Sequence, residues 1–279
     1  MKKYLHCLIV LAAFSASAQD FRGTATYESK TSIDFSLSGG EPGSDEENQL
    51  PPELEAQLQE QLKKAFEKKY TLSFDKTASL YVEEEQLVPQ TNQMVININN
   101  YEGGKQYKNL KDKSAITEHE VFGKEFLIMD SLHKYDWKLG SETKKIGIYT
   151  CYKATVTIKA RPVPETVKAI SLTDVPEKDK VITAWYTPEI PVSHGPGGYW
   201  GLPGLILEVN NGSTTLLCSK VVLNPKDKIE IKAPKKGTKV SRAEFDKIVE
   251  DKIRETQEMD EPAPGSNTTT TRRVIRIGG

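Results

Sequence analysis

Histidines are the residues of this chain best suited to acid–base or metal chemistry, and their spacing favours neither. His119, His133 and His194 lie far apart, without an HExxH or CxxC pattern between them. His194 lies close to Glu189 and Ser193, a combination that a hydrolase could use, but short polar clusters are common in Pro- and Gly-rich loops. The sequence therefore predicts no catalytic residue, no metal and no cofactor, and a hydrolase is the least favoured function.

A glycine-rich loop around His194 is the second candidate for chemistry. Residues 194–198 read HGPGG. A phosphate-binding loop needs a Gly-Lys-Ser/Thr ending and a following helix, and both are missing from the pattern here. The GxSxG pattern of serine hydrolases is absent as well. The remaining interpretation is a shaped loop whose aromatics either fill the core or line a binding surface. The candidate binding residues are Trp185, Tyr186, His194, Tyr199 and Trp200.

Residues 201–209, GLPGLILEV, predict a turn that leads into a buried strand. Gly201, Pro203 and Gly204 are the turn residues. Proline presets φ at the second position of a type II turn, and Gly204 would supply the positive φ that the third position requires. This stretch is therefore predicted to be structural, with the aromatics at its entrance as the functional candidates.

The first 18 residues predict a secretory signal peptide. Two lysines precede an apolar run that closes on Ala16-Ser17-Ala18, which is the layout of a segment cleaved after Ala18. The run is too short to span a bilayer, and no later segment is long or apolar enough. We therefore expect an exported protein in the periplasm, at the outer membrane or outside the cell. Acidic and basic residues nearly cancel, at 39 against 38, so the charge predicts no nucleic-acid partner.

The two cysteines of the expected mature chain, Cys151 and Cys218, predict one disulfide. An even number of cysteines in an exported protein is typical of disulfide pairing. Asn211-Gly212 is typical of a two-residue hairpin loop, which would place Cys218 opposite Leu205 and beside the predicted turn. A bond to Cys151 would then join the middle of the chain to that turn. Two buried free thiols are the alternative.

The remaining pattern predicts an α+β protein that is mostly β. Short alternating segments recur about every ten residues between polar or Gly-containing turns, without the helices that βαβ crossovers need. Helical spacing occurs at 51–69 and again from Ser241, where Glu244 completes a capping box. We expect a curved antiparallel meander, half-barrel-like if it curls far enough, with one amphipathic helix near each terminus.

These elements predict a single domain at residues 19–258, then a low-complexity linker at 259–271 and a basic tail at 272–279. Prolines and charges at 160–180 interrupt the strands and predict a surface excursion. The alternating tail could add a strand to the sheet edge of a partner, and a disordered terminus is the alternative.

Three segments resemble a known family. AWYTPEIPVSHGP at 184–196, the following GLPGLILEV and the upstream GIYTCYKAT at 147–155 are similar to the GLPGLI family of exported Bacteroidetes proteins, also called Porph_ging. Residues 201–206 match the hexapeptide that names the family at every position. The long connection at 160–180 is a departure. The resemblance implies an exported protein with a shared core motif, and it supplies no catalytic residue.

The sequence thus favours a non-catalytic binding or accessory protein of the cell envelope. It would engage a protein partner, for example an outer-membrane protein, through the loop at 185–204, the C-terminal tail or both. The alternative is a periplasmic carrier that holds an apolar ligand between the sheet and the helix at 51–69, a comparison that rests on fold-level analogy.

Overall fold

The computed structural model describes residues 21–31, 67–84, 104–160 and 179–259, with single positions between 53 and 60. Within these residues it gives the bounds of twelve strands and one helix. The strands are β1 (Gly23–Thr31), β2 (Lys69–Phe74), β3 (Ala78–Glu83), β4 (Lys105–Asn109), β5 (Ser114–Val121), β6 (Lys124–Ser131), β7 (Lys138–Ile146), β8 (Tyr149–Ile158), β9 (Lys180–Thr187), β10 (Leu205–Asn210), β11 (Thr214–Leu223) and β12 (Thr238–Ser241). The helix, α1, is Arg242–Met259.

All twelve strands lie in one open sheet, in the order β12-β6-β5-β4-β3-β2-β1-β11-β10-β9-β8-β7. β1 to β6 form one antiparallel meander and β7 to β11 a second, and the antiparallel pairing of β1 with β11 joins them. β12 pairs with β6 in parallel. The predicted mostly-β architecture is confirmed. The parallel strand was not predicted.

A short connection forces this sheet to curve. β6 and β7 stand ten positions apart in the strand order, yet only residues 132–137 join them. Ten spacings of a flat sheet amount to about 48 Å, whereas the linking residues reach about 25 Å at most. The sheet must therefore bend until its two end regions face each other, which explains how side chains of distant strands share one core.

Three clusters of buried side chains hold the described part of the fold together, and burial of each large apolar side chain contributes roughly 1.5–3 kcal/mol. The first joins β1–β3 to the other half of the sheet and consists of Ala25, Tyr27, Leu72, Phe74, Tyr81, Cys151, Ile190, Val192, Leu205, Leu207 and Cys218. The second consists of Ala154, Val156, Ile182, Ala184, Tyr186, Leu202, Ile206 and Val209. The third consists of Val121, Phe126, Ile128 and Phe245.

The predicted C-terminal helix is confirmed, together with its capping box. The Glu244 amide donates to Ser241 Oγ at 3.2 Å, and the Ser241 amide donates to Glu244 Oε2 at 2.7 Å. One turn in, Phe245 is buried edge-on against Phe126, with 5.5 Å between ring centroids. The cap thus sets the start of α1 so that its apolar side packs on β6.

The other predicted helix, at 51–69, lies mostly outside the described residues. Its predicted end is wrong, because Glu67 and Lys68 have no helical structure and Lys69 already begins β2. The described positions between 53 and 60 are helical, but the positions between them lie outside the described residues, so α1 is the one helix whose bounds the structure gives instead of the two expected. No described helix has the length and apolar character that crossing a membrane requires.

Other predicted segments also lie outside the described residues: the signal peptide, most of the excursion at 160–180, and the tail at 272–279. The ends of the excursion are described. β8 and β9 pair antiparallel up to Ile158 and Lys180, and Asp179 accepts a hydrogen bond from the Ala160 amide at 3.2 Å. The excursion therefore interrupts a β-hairpin without disturbing its register.

Candidate functional site

The loop between β9 and β10, residues 188–204, folds back onto the sheet and is called the 188–204 loop below. Three of its apolar side chains, Ile190, Val192 and Leu202, are at most 3% exposed. Its carbonyls accept backbone hydrogen bonds from the start of β10: Leu205 donates to Ile190 at 3.0 Å and Ile206 to His194 at 3.0 Å. The loop is thus a packed, hydrogen-bonded part of the core.

The glycines of the 201–206 hexapeptide have different roles from those predicted. Gly201 has a φ of 96° and donates its amide to the Ser193 carbonyl at 3.2 Å. Gly204 has no positive φ, so the predicted type II geometry is wrong. Instead, a Cβ on Gly204 would lie 2.2 Å from the Thr187 carbonyl oxygen. Gly204 is needed because two backbones meet there, and the conformational freedom is needed at Gly201.

The hairpin after this segment has a register different from the predicted one. Asn211 donates its amide to the Thr214 carbonyl at 3.1 Å, and Gly212, with a φ of 98°, is the first of the two central residues. The loop is therefore Gly212-Ser213 instead of Asn211-Gly212. β10 and β11 pair Val209 with Leu216 and Glu208 with Leu217. The predicted register, which would place Cys218 opposite Leu205, is therefore wrong.

Cys151 and Cys218 are both buried, and the structure holds them as free thiols. The predicted disulfide is therefore not present in the structure, although both residues belong to the first core cluster. Burial raises the pKa of Cys151 to about 11 and that of Cys218 to about 12. Thiols in this environment are poor nucleophiles.

A buried lysine holds the 188–204 loop from below. Lys108 on β4 is 2% exposed, and its ammonium donates to three carbonyls of the loop: Gly195 at 2.9 Å, Gly197 at 2.7 Å and Tyr199 at 3.0 Å. All three N–H donors of the ammonium are thereby satisfied. Burial nevertheless lowers the pKa of Lys108 to about 7. The lysine thus fixes the conformation of the 194–199 backbone.

His194 lies beside this ammonium and is fully buried. Neither ring nitrogen makes a hydrogen bond of ordinary length within the described residues. Burial and the charge of Lys108 lower the pKa of His194 to about 3, and a weaker contact with the Asp75 backbone and the charge of the Asp75 carboxylate oppose them only in part. His194 is therefore neutral in the closed loop at any ordinary pH, and it has no accessible atom with which to bind a partner.

The loop covers a row of cross-strand neighbours on β1 to β4. Gly23 pairs with Phe74, Phe74 with Ser79, and Ser79 with Lys108, so these residues share one face of the sheet. The Phe74 and His194 rings lie 6.4 Å apart. Ser79 is fully buried, and its Oγ has no partner in the described residues. Buried polar atoms without a hydrogen bond of ordinary length are rare in proteins, and Ser79 in this row and His194 in the loop above it both carry such atoms in the described residues.

An aromatic surface lies where the loop meets the 132–137 connection, and its Trp200 forms an isolated antiparallel bridge with His194. The Trp200 indole donates to the His133 carbonyl at 2.7 Å, and the Trp137 indole donates to the Trp200 carbonyl at 2.9 Å. Tyr135 packs between them and Tyr199, with 5.5 Å to the Trp137 ring and 5.7 Å to the Tyr199 ring. We call these five residues, His133, Tyr135, Trp137, Tyr199 and Trp200, the aromatic surface; His133 is exposed and the others are half-buried.

The five candidate binding residues therefore separate into two groups. Tyr199 and Trp200 belong to the aromatic surface. Tyr186 is 6% exposed in the second core cluster and His194 is fully buried. Trp185 is half-buried under Lys144, whose ammonium lies 4.4 Å from its ring centroid and 2.6 Å from Glu208. These three residues shape the sheet and the loop.

Sequence reasoning missed two parts of this region. The aromatic alternation at 133, 135 and 137 was a usable signal, because three rings on one side of a short connection seldom face solvent singly. Lys108 had no such signal. It lies in an ordinary polar strand, GKQYKNL, and only the distant 188–204 loop makes it a buried residue.

Comparison with known protein families finds one family model that matches part of this chain. A family model described as a protein of unknown function, Porph_ging, matches residues 137–208. The resemblance to the GLPGLI family is confirmed. The Porph_ging segment begins in the aromatic surface at Trp137, includes β7, β8, β9 and the 188–204 loop, and ends in β10 at Glu208. The match therefore covers one edge of the sheet and both ends of the candidate site.

No curated protein matches the chain. Among solved structures, two crystal forms of PNGF-II are similar to it, in space groups C2 and P21. Each is 16% identical and covers 82% of this chain, with TM-scores of 0.46 and 0.45. The match extends over 32% and 33% of those chains, so this chain spans about a third of their length.

Proposed function

We propose that this protein is a non-catalytic binding module of the cell envelope, and that it engages a protein partner through the aromatic surface. The observation that carries the proposal is the fixed arrangement of Tyr135, Trp137, Tyr199 and Trp200, half-buried at the junction of two connections. Aromatic side chains that remain partly exposed in a rigid frame are typical of interface anchors.

The chemistry of the aromatic surface indicates the kind of contact it makes. Both indole N–H groups donate to backbone carbonyls of the protein itself. The rings therefore offer a partner their faces and edges, and recognition would depend on apolar contact and stacking. A partner segment rich in aliphatic or proline side chains fits this surface, because such segments bind aromatic-lined sites with little loss of conformational entropy.

The groups with the most perturbed pKa values support a structural role for the region below the surface. Lys108 donates all its N–H groups to loop carbonyls, and His194 and both thiols are buried. A nucleophile or general base needs access to a substrate, and these side chains lack it in the closed loop. The carrier alternative depends on the predicted helix at 51–69, most of which lies outside the described residues.

A photo-crosslinking experiment in envelope preparations tests the proposal. A benzophenone amino acid placed at Tyr135 or Trp200 should yield a discrete crosslinked protein. The same probe at Tyr152, a 38% exposed tyrosine outside the aromatic surface, serves as the matched control. Near-ultraviolet circular dichroism checks that each variant folds.

The outcomes distinguish binding through the aromatic surface from binding through the C-terminal tail. Crosslinks from 135 and 200 that are absent from 152 support the aromatic surface. Equal crosslinks from all three positions, or none, reject it. A partner that is lost only when residues after Pro262 are deleted assigns binding to the C-terminal tail instead.

A further inference from the structure

We propose that the 188–204 loop is a lid that acid loosens from the sheet, with His194 as the group that responds. The proposal begins with geometry. His194 is buried beside Phe74, and neither of its ring nitrogens makes a hydrogen bond of ordinary length in the described residues, although the Asp75 backbone makes a weaker polar contact with the ring. Closing the loop therefore removes water from the ring nitrogens and replaces it only in part, which disfavours the closed loop.

The charges around His194 set the direction of its response. The positive charge of Lys108, on β4, disfavours a protonated His194 ring. The negative charge of Asp75, in the β2–β3 turn, favours a protonated ring. Asp75 is already engaged with the amides of Thr77 and Ala78, each at 2.7 Å, which together with the Thr77 hydroxyl keep the pKa of its carboxyl low. The net field opposes protonation, so an imidazolium forms readily only when the loop opens and its ring is hydrated.

The same opening releases Lys108. In the closed loop its ammonium is wholly buried, and burial lowers its pKa to about 7. Opening returns it to water, where the charged form is favoured. Protons bound by either residue therefore favour the open loop, and the lid is tightest at alkaline pH.

The size of the effect follows from the two pKa values of His194. Its pKa in the closed loop is about 3, against an ordinary value of 6.5. Each pH unit between those limits changes the open-to-closed ratio by about tenfold. Between pH 7 and pH 4 the open fraction should therefore rise by about a hundredfold. The closed loop remains the major form, because Ile190, Val192 and Leu202 must leave the core for the loop to open. The lid works whether or not the aromatic surface binds a partner.

Hydrogen exchange measured per amide tests the lid. The reporters are the amides of Gly201, Leu205 and Ile206, whose acceptors all lie in the loop. The reference amides are those of the paired strands β2 and β3. After correction for intrinsic rates, the reporters should be less protected than the reference amides at pH 7, should lose about a hundredfold of protection between pH 7 and pH 4, and should respond little to low concentrations of urea. Reporters that match the reference amides in protection and in urea dependence at both pH values would exchange by global unfolding and would overturn the proposal, as would no loss on acidification.

Two variants assign the effect to His194. His194→Phe removes the titrating ring and should abolish most of the acid-induced loss of protection in the reporters. His119→Phe is the matched control, since His119 is also buried but packs against Phe245, and it should keep the loss. His194→Gln replaces the phenylalanine variant if the latter does not fold. A reporter response that persists without His194 would reject its role.

Discussion

The Tyr27 hydroxyl donates a hydrogen bond of 2.6 Å to the Ile206 carbonyl, which joins β1 to the end of the family hexapeptide. Tyr27 is fully buried, and burial raises the pKa of its hydroxyl well above the usual value. The bond stabilises the position of β10 beneath the 188–204 loop, so its loss should be measurable as global stability.

Tyr27→Phe should lower the free energy of unfolding by about 1–3 kcal/mol, because the Ile206 carbonyl then loses a buried donor. Urea denaturation measures the change. Tyr152→Phe is the control, since Tyr152 is 38% exposed and its hydroxyl can turn to water, and it should change stability by less than about 0.5 kcal/mol. Equal effects of the two substitutions would show that the Tyr27 bond contributes nothing specific.

Gly204→Ala should destabilise the protein by about 3 kcal/mol or more, or prevent folding, since its Cβ would lie 2.2 Å from a backbone oxygen of Thr187. Gly198→Ala in the same loop is the control. A Cβ there would be 3.6 Å from the Tyr135 hydroxyl, an ordinary contact. Thermal unfolding should separate the two variants clearly. A stable Gly204→Ala protein would show that the close approach to Thr187 can relax.

Local sequence patterns predicted where the strands and the C-terminal helix lie better than they predicted which segments pack against them. The Ser241–Glu244 box located the start of α1 because a helix cap depends on neighbours in the chain. On β8, alternation places Cys151 and Ala154 on opposite faces of the strand. Both are nevertheless buried, Cys151 in the first cluster and Ala154 in the second. Alternation distinguishes two faces of a strand, but it does not reveal what distant segments cover them.

The same limit applies to the site. Gly201 has a positive φ, whereas Gly204 is required by a close approach to Thr187, which the turn pattern does not contain. The hairpin signal at Asn211-Gly212 was off by one residue, so the strand register predicted from it was wrong. Lys108 depends on carbonyls more than 80 residues away in the chain. Such pairings follow from the β1–β11 junction, which no local pattern specifies.

Lys108 should make the protein more stable as pH rises from 7 to 10. Its folded pKa of about 7 lies below the unfolded value of 10.5, so over this range the unfolded chain binds the extra proton. The free energy of unfolding must then rise with pH, by up to about 4 kcal/mol over three units. Denaturation of the wild type and of Lys108→Met at several pH values isolates this contribution, because other groups titrate alike in both.

In that comparison, the difference in stability between wild type and Lys108→Met should change steadily in favour of the wild type as pH rises. Lys111→Met, at an exposed lysine of the β4–β5 turn, should show no such trend relative to the wild type. A difference that stays constant from pH 7 to pH 10 would mean that Lys108 keeps its ordinary pKa.

Cys151 and Cys218 should both be free thiols, and neither should react with a thiol reagent in the folded protein. A protein that begins at Gln19 contains two cysteines, Cys151 and Cys218, and both are buried with raised pKa values. A thiol reagent at pH 8 should therefore label neither in the folded protein, because the thiolate is the reacting form. After unfolding without a reductant, both should react. Two labels per chain would establish the free thiols of the structure, whereas none would show that the oxidised pair expected from an exported protein had formed.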